Sequence, residues 1–164
     1  MTHLYAIGLG SNRCHGRHGN PRAVISSALA ALRPKSASRI IETAPLGPSA
    51  RRFANAAALI ESTLPPPALL AELKRMEQAF GRRRGRRWGA RVLDLDILLW
   101  SGGVWSRPTL AIPHQHLTER AFALLPLNEI APEWRIPGHG TPRQHAARLT
   151  RRRPIHRSGR RSGP

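Results

Sequence analysis

From His3 to Leu9 large and small apolar residues alternate before Gly10-Ser11-Asn12, which predicts a β-strand running into a tight turn. After a loop of glycine, histidine and arginine, Asn20-Pro21 marks a helix start. Asparagine can cap free backbone amides, and proline in the first turn lacks an N–H that would go unpaired anyway. Val24, Ile25, Ala28, Leu29 and Leu32 then fall on one helical face, and Pro34 ends the segment. Ser36–Thr43 carries a weaker strand signal, Ala44–Arg52 reads as a Pro/Gly loop, and Phe53–Thr63 reads as an apolar strand of mostly small residues.

Pro65-Pro66-Pro67 opens a second helix with Leu69, Leu70, Leu73, Met76 and Phe80 as its apolar face and Gly81 as its stop. Gly81–Ala90 is a basic, glycine-containing loop. Arg91–Trp100 resumes as a strand, closed by Ser101-Gly102-Gly103 and a short hairpin partner. A third helix is predicted near Thr118–Leu127, carrying Phe122, Leu124 and Leu125. Trp134–Ile136 reads as a last strand, and Thr141-Pro142 opens a final short helix. Strands and helices mix without strict alternation, so the fold class is α+β.

Composition narrows the setting. The 164 residues suffice for one domain, and 15 prolines with 14 glycines suit short elements joined by many turns. A single cysteine, Cys14, excludes an internal disulfide. The N-terminus lacks the features of a secretory signal and no apolar run has the length of a membrane span, so a cytoplasmic protein without membrane association is expected. The net charge of +18 favours polyanionic partners, nucleotides among them; all but Lys35 and Lys74 of the 27 basic residues are arginine. Residues 150–164 hold six arginines and no acid, which predicts a disordered basic tail after a folded domain of residues 1–149.

Candidate chemistry concentrates in Leu93-Asp94-Leu95-Asp96-Ile97, because Asp94 and Asp96 are the chain's only aspartates. A spacing of two along a strand puts both carboxylates on one face, about 7 Å apart. Two like charges so placed disfavour a strand unless a cation neutralises them, and magnesium, an oxygen-binding ion that pairs carboxylates with substrate phosphates, fits. The plain alternative is an edge strand with both groups in water. Just upstream, Arg82-Arg83-Arg84-Gly85-Arg86-Arg87-Trp88-Gly89-Ala90-Arg91 places guanidinium groups before this strand, a combination suited to phosphoryl transfer; by itself it also reads as a solvated loop or RNA-binding patch. Trp88 suits stacking on a flat ligand or closing over it. Gly8-Leu9-Gly10-Ser11-Asn12 is not a dinucleotide fingerprint and no Walker-type loop is present. His114 and His116 could share a zinc ion from one strand face, but neighbouring sequence supplies no further ligand.

Taken in order, Gly8 to Asn12, Thr43-Ala44-Pro45-Leu46-Gly47-Pro48, Phe53-Ala54-Asn55-Ala56-Ala57, Arg87-Trp88-Gly89-Ala90-Arg91, Leu93-Asp94-Leu95-Asp96, Ile112-Pro113-His114, Arg120-Ala121-Phe122, Pro126-Leu127 and Glu129-Ile130-Ala131-Pro132 resemble the 6-hydroxymethyl-7,8-dihydropterin pyrophosphokinases of folate biosynthesis. The resemblance runs from Tyr5 to about Leu149. It implies a ferredoxin-like α/β sandwich with an antiparallel sheet, and an enzyme that moves pyrophosphate from ATP to 6-hydroxymethyl-7,8-dihydropterin, leaving AMP; a monomer is expected.

By the same resemblance Asp94 and Asp96 hold two magnesium ions, with Arg82 and Arg91 alongside them in catalysis. Phe53 and Phe122 sandwich the pterin, Asn55 bonds its edge, the backbone of Thr43, Ala44, Pro45 and Leu46 lines that pocket, and Trp88 seals it. ATP is contacted by Glu77, Arg82, Arg84, Arg91, Ile97, His114 and Arg120. The chain departs from the family pattern in an arginine loop one residue shorter, in Lys74 and Gln115 near ATP, and in Ala44 and Ala90 where proline is common. Proton removal from the hydroxyl falls either to the metal's effect on its pKa or to Asp96. A nucleic-acid-binding module is the main rival reading, against which stand the few aromatics and the lack of an Arg-Gly-Phe run; an inactive paralogue is disfavoured by intact Asp94, Asp96, Asn55, Phe53 and Phe122.

Overall fold

In the computed structural model, which describes residues 1–43, 52–81 and 92–151, the first apolar run forms β1 (His3–Ser11). Helix α1 (Pro21–Leu32) starts where Asn20 Oδ1 accepts the Ala23 N–H at 2.9 Å, and ends at Arg33 in the left-handed region. Two short strands follow, β2 (Ser36–Ala37) and β3 (Ile41–Thr43), then β4 (Phe53–Ser62). Helix α2 (Pro66–Ala79) ends before Gly81, whose φ of +89° suits a residue without a side chain. The remaining elements are β5 (Asp94–Trp100), β6 (Trp105–Arg107), β7 (Leu110–Ile112), α3 (Ala121–Ile130) and α4 (Pro142–Arg151).

The main sheet has the order β2-β4-β1-β5, with β3 also paired to β4, and each of these pairings is antiparallel. With β2 and β3 taken as one interrupted strand, the order β1-α1-β2/β3-β4-α2-β5 is the split βαβ arrangement of ferredoxin-like folds. Tyr5, Ile7 and Leu9 of β1, Ala54, Ala56 and Ala58 of β4, and Leu95 and Ile97 of β5 pack with Val24, Ile25, Leu69 and Leu73 of α1 and α2. The opposite face of the sheet meets α3, through Ala6, Ala57, Leu98 and Leu99 against Leu124 and Leu127. A register shift between Ala6 and Ile7, opposite Leu98, lets Leu98 and Leu99 both join that second cluster.

Several expected elements differ in detail. The Ser36–Thr43 strand is interrupted where Ser38 Oγ accepts the Ala57 N–H, so a side chain replaces one backbone partner. The segment after Gly103 is not a hairpin partner of β5: β5 pairs with β1, and β6 pairs with β7 in a separate two-stranded sheet. Trp134–Ile136 forms no strand, only an isolated bridge between Ile136 and Gly140. The third helix begins at Ala121 rather than Thr118, and its Leu125 is exposed while Leu124 and Leu127 are buried. Helix α4 reaches Arg151, so Thr150 and Arg151 belong to it rather than to a tail; residues 152–164 lie outside the described residues. Among the described residues no helix is long and apolar enough to cross a membrane.

Candidate active site

The strand register assembles the site. On β1, Gly10 pairs with Asn55 of β4 on one side and with Asp94 of β5 on the other; Gly8 likewise lies between Ala57 and Asp96. Because successive residues of a strand alternate faces, Phe53 and Asn55, Gly8 and Gly10, and Asp94 and Asp96 all share the face opposite Leu9 and Leu95. Gly10 leaves a bare position between the amide and the first carboxylate, whereas the space over Gly8 is taken by the Leu98 side chain. A Cβ placed on Gly10 would lie 3.4 Å from Asn55 Oδ1, and one on Gly8 would press to 3.2 Å from Leu98 Cδ2. Asn55 is buried, whereas Phe53, Asp94 and Asp96 are half-buried.

Helix α3 packs across β4 on this side and brings in Phe122, half-buried in its first turn. The Arg120 guanidinium, just before the helix, stands 5.8 Å from the centre of the Phe122 ring. Thr43 ends β3 opposite Phe53, so the expected pterin residues Thr43, Phe53, Asn55 and Phe122 are contributed by β3, β4 and α3.

Beyond the β5 edge lies a cleft of about 330 Å³. Leu70 and Lys74 of α2, Asp96 and Ile97 of β5, Arg107 to Ala111 of the β6–β7 hairpin, and His114 with Gln115 line it. Of the expected ATP contacts, Ile97 and His114 are therefore on its wall. Glu77 is not: it is wholly buried, its Oε1 accepting the Leu95 N–H at 2.8 Å and the Lys74 Nζ at 2.6 Å. The expected contributions of Ala44, Pro45, Leu46, Arg82, Arg84, Trp88 and Arg91 lie outside the described residues.

His114 follows a cis Ile112–Pro113 bond, and its Nδ1 accepts the His116 N–H at 3.3 Å, which leaves the neutral ring's proton on Nε2. Burial lowers its pKa below the ordinary histidine value; Asp96 and, more weakly, Asp94 act to raise it, while Arg120 and His116 add to the lowering. The neutral imidazole is thereby favoured beside the carboxylates. Zinc shared by His114 and His116, disfavoured by the sequence, does not fit this geometry either. His114 and His116 sit in a turn rather than on a strand, His116 Nδ1 faces Glu119 Oε2 at 3.3 Å, and among the described residues no three His, Cys, Asp or Glu side chains gather around one point.

Asp94 and Asp96 fit magnesium better. They offer hard oxygen atoms on one half-buried strand face beside the bare position of Gly10, and magnesium is commonly held by one or two carboxylates plus substrate phosphates rather than by a full protein cage. Sequence reasoning missed Leu70, Arg107 and Leu110 as wall residues. They join the cleft only because the hairpin folds back toward α2, although the Arg107-Pro108-Thr109 turn was itself a visible cue.

Residues 6–132 match the family model described as 7,8-dihydro-6-hydroxymethylpterin-pyrophosphokinase (HPPK). Relatives named 2-amino-4-hydroxy-6-hydroxymethyldihydropteridine pyrophosphokinase include one from Pseudomonas aeruginosa, 39% identical over 84% of this chain and 86% of its own. Another, from Methylorubrum extorquens, is 39% identical over 91% of this chain and 94% of its own. A third, from Haemophilus influenzae, is 40% identical over 80% and 83%. With the matching stretch spanning the sheet, the aspartate pair and Phe122, this chain belongs to the 7,8-dihydro-6-hydroxymethylpterin-pyrophosphokinase family.

Proposed function

We propose that this chain transfers the terminal diphosphoryl group of ATP to 6-hydroxymethyl-7,8-dihydropterin, giving AMP and the pterin diphosphate in folate biosynthesis. The observation that carries the reading is the placement of Asp94 and Asp96 on one face with Asn55, across the strand positions of Gly8 and Gly10. In the reaction the hydroxymethyl oxygen bonds to the β-phosphorus, the bond from that phosphorus to the oxygen bridging the α-phosphate breaks, and the hydroxyl proton is released. AMP leaves with the bridging oxygen. Such a displacement depends on in-line placement and charge neutralisation more than on a covalent protein group.

In this reading Asp94 and Asp96 hold magnesium, two ions when both substrates are present, which supplies positive charge to the phosphates. Phe53 and Phe122 offer ring faces to the flat pterin, and Asn55 offers an amide that can both donate to and accept from its edge. Thr43, Ala44, Pro45, Leu46 and Trp88 complete the pterin side. ATP occupies the cleft outside β5 against Ile97 and His114, with Arg82, Arg84, Arg91 and Arg120 balancing its charge. The protein works as a cytoplasmic monomer and needs neither nucleic acid nor membrane. Incubation with ATP, magnesium and hydroxymethyldihydropterin tests the reaction. AMP and the pterin diphosphate are expected, and formation of ADP in their place overturns it.

A further inference from the structure

We propose that Lys74 and Glu77 form a brace that positions Asp94 and Asp96 by fixing the outer edge of β5 at Leu95, the residue between them; the assignment rests on the function proposed above. Among the described residues β5 has a main-sheet neighbour, β1, on one side only, so its other edge presents backbone groups that need partners. Helix α2 supplies them at Leu95. The Leu95 N–H donates to Glu77 Oε1 at 2.8 Å, Lys74 Nζ donates to the Leu95 carbonyl at 3.2 Å, and Lys74 Nζ also donates to Glu77 Oε1 at 2.6 Å.

Amide, carboxylate and ammonium thus close a ring around one residue of the strand. The Leu95 side chain is itself fully buried in the core below. With its backbone clamped and its side chain packed, the Cα–Cβ directions of Asp94 and Asp96 on the other face are set.

Stability alone does not account for the pair. Glu77 is fully buried, and the cost of removing such a charge from water offsets most of what its partner returns, so apolar residues of similar size usually serve as well or better. What apolar residues cannot do is hold the Leu95 N–H and C=O. The brace also reaches the substrate side, because Lys74 shares the cleft wall with Asp96. Lys74 and Glu77 are accordingly positioning residues, acting on the carboxylates through the strand.

The test compares Glu77→Gln, Glu77→Leu and the double variant Lys74→Met/Glu77→Leu with the parent protein. Thermal melting, the magnesium dependence of turnover, and calorimetric binding of α,β-methylene ATP with and without magnesium are measured. The double variant should stay folded but melt below the parent, since the apolar pair replaces the ionic one yet leaves the Leu95 N–H and C=O without their partners from α2. Its magnesium requirement should rise about tenfold or more, the usual loss when groups supporting a metal ligand are removed, and the magnesium-dependent part of analogue binding should weaken with it. Glu77→Gln keeps an oxygen for the Leu95 N–H and should stay near the parent.

A double variant that is folded at the assay temperature and keeps the parental magnesium requirement overturns the brace. So does an equal loss of analogue binding with and without magnesium, which would make Lys74 a direct nucleotide contact, or a Glu77→Gln variant as impaired as Glu77→Leu. If the parent binds the analogue with magnesium but yields no AMP, the proposed reaction fails while the binding arm still tests the brace.

Discussion

Asn55 and Asp94 stand on opposite sides of Gly10, each paired with it across β1, so the amide and the first carboxylate are separated by one strand that carries no side chain at that point. Two inter-strand spacings put them roughly 10 Å apart at the backbone. The gap is wide enough for a flat ligand to lie between the amide and the carboxylate.

Gly10→Val should separate stability from function. Valine favours a strand, and the added methyls fill the floor of the site rather than the core, so melting should stay at or above that of the parent. Pterin binding should weaken by roughly 10- to 100-fold, the equivalent of an overpacked contact of about 1–3 kcal/mol. Fluorescence titration of the pterin checks this; unchanged affinity would place the ligand elsewhere.

Asp96→Asn should lower turnover by about 10²-fold or more, as loss of a charge-stabilising group typically does. In the metal-free protein melting should change far less than turnover, because relief of the like-charge contact with Asp94 offsets part of any interaction the Asp96 carboxylate loses. Steady-state rates at limiting magnesium, set beside a thermal melt, give both readouts. Near-parental turnover would remove Asp96 from the metal site.

Phe53→Ala and Phe122→Ala should each weaken the pterin complex by ~1 kcal/mol or more beyond the lost contact area. Affinity for an ATP analogue should change little, because neither ring lines the cleft outside β5. Equal losses for the two ligands would mark a packing defect instead.

The metal-free protein should lose stability as pH falls below the ordinary imidazole range. The unfolded chain takes up a proton at His114 near the reference value of 6.5, whereas the folded chain, with that group buried, takes it up only at lower pH. Stability from this group is therefore complete above the unfolded pKa and declines as pH drops from there toward the folded one. His114→Gln should flatten that part of a denaturation profile. An unchanged slope would mean that His114 is not a source of the acid sensitivity.

Local signals located most of the fold's parts. Asn20-Pro21 and the apolar face after it marked α1 because capping and proline chemistry act within one turn of chain. The alternation in His3–Leu9 and the small residues after Phe53 marked β1 and β4 for the same local reason. The pairing of β6 with β7 was not legible, since a short strand's sequence does not say which edge it joins. Nor was the interruption at Ser38, where a hydroxyl takes the place of a strand partner 19 residues away.

Of the candidate site, the sequence by itself determined the candidate groups: the only two aspartates, spaced for one strand face, with the Asn55 and Phe122 segments in recognisable order. Only the tertiary structure decided how those groups meet. The antiparallel register puts Asn55 and Asp94 on either side of Gly10, and the turn of α2 onto the β5 edge buries Glu77 against the Leu95 backbone rather than on the wall of the cleft outside β5. Spacing along one strand follows from backbone geometry and can be read residue by residue. Register between strands, and the partner of a buried carboxylate, follow from which surfaces exclude water together, and that is a property of the whole packed chain.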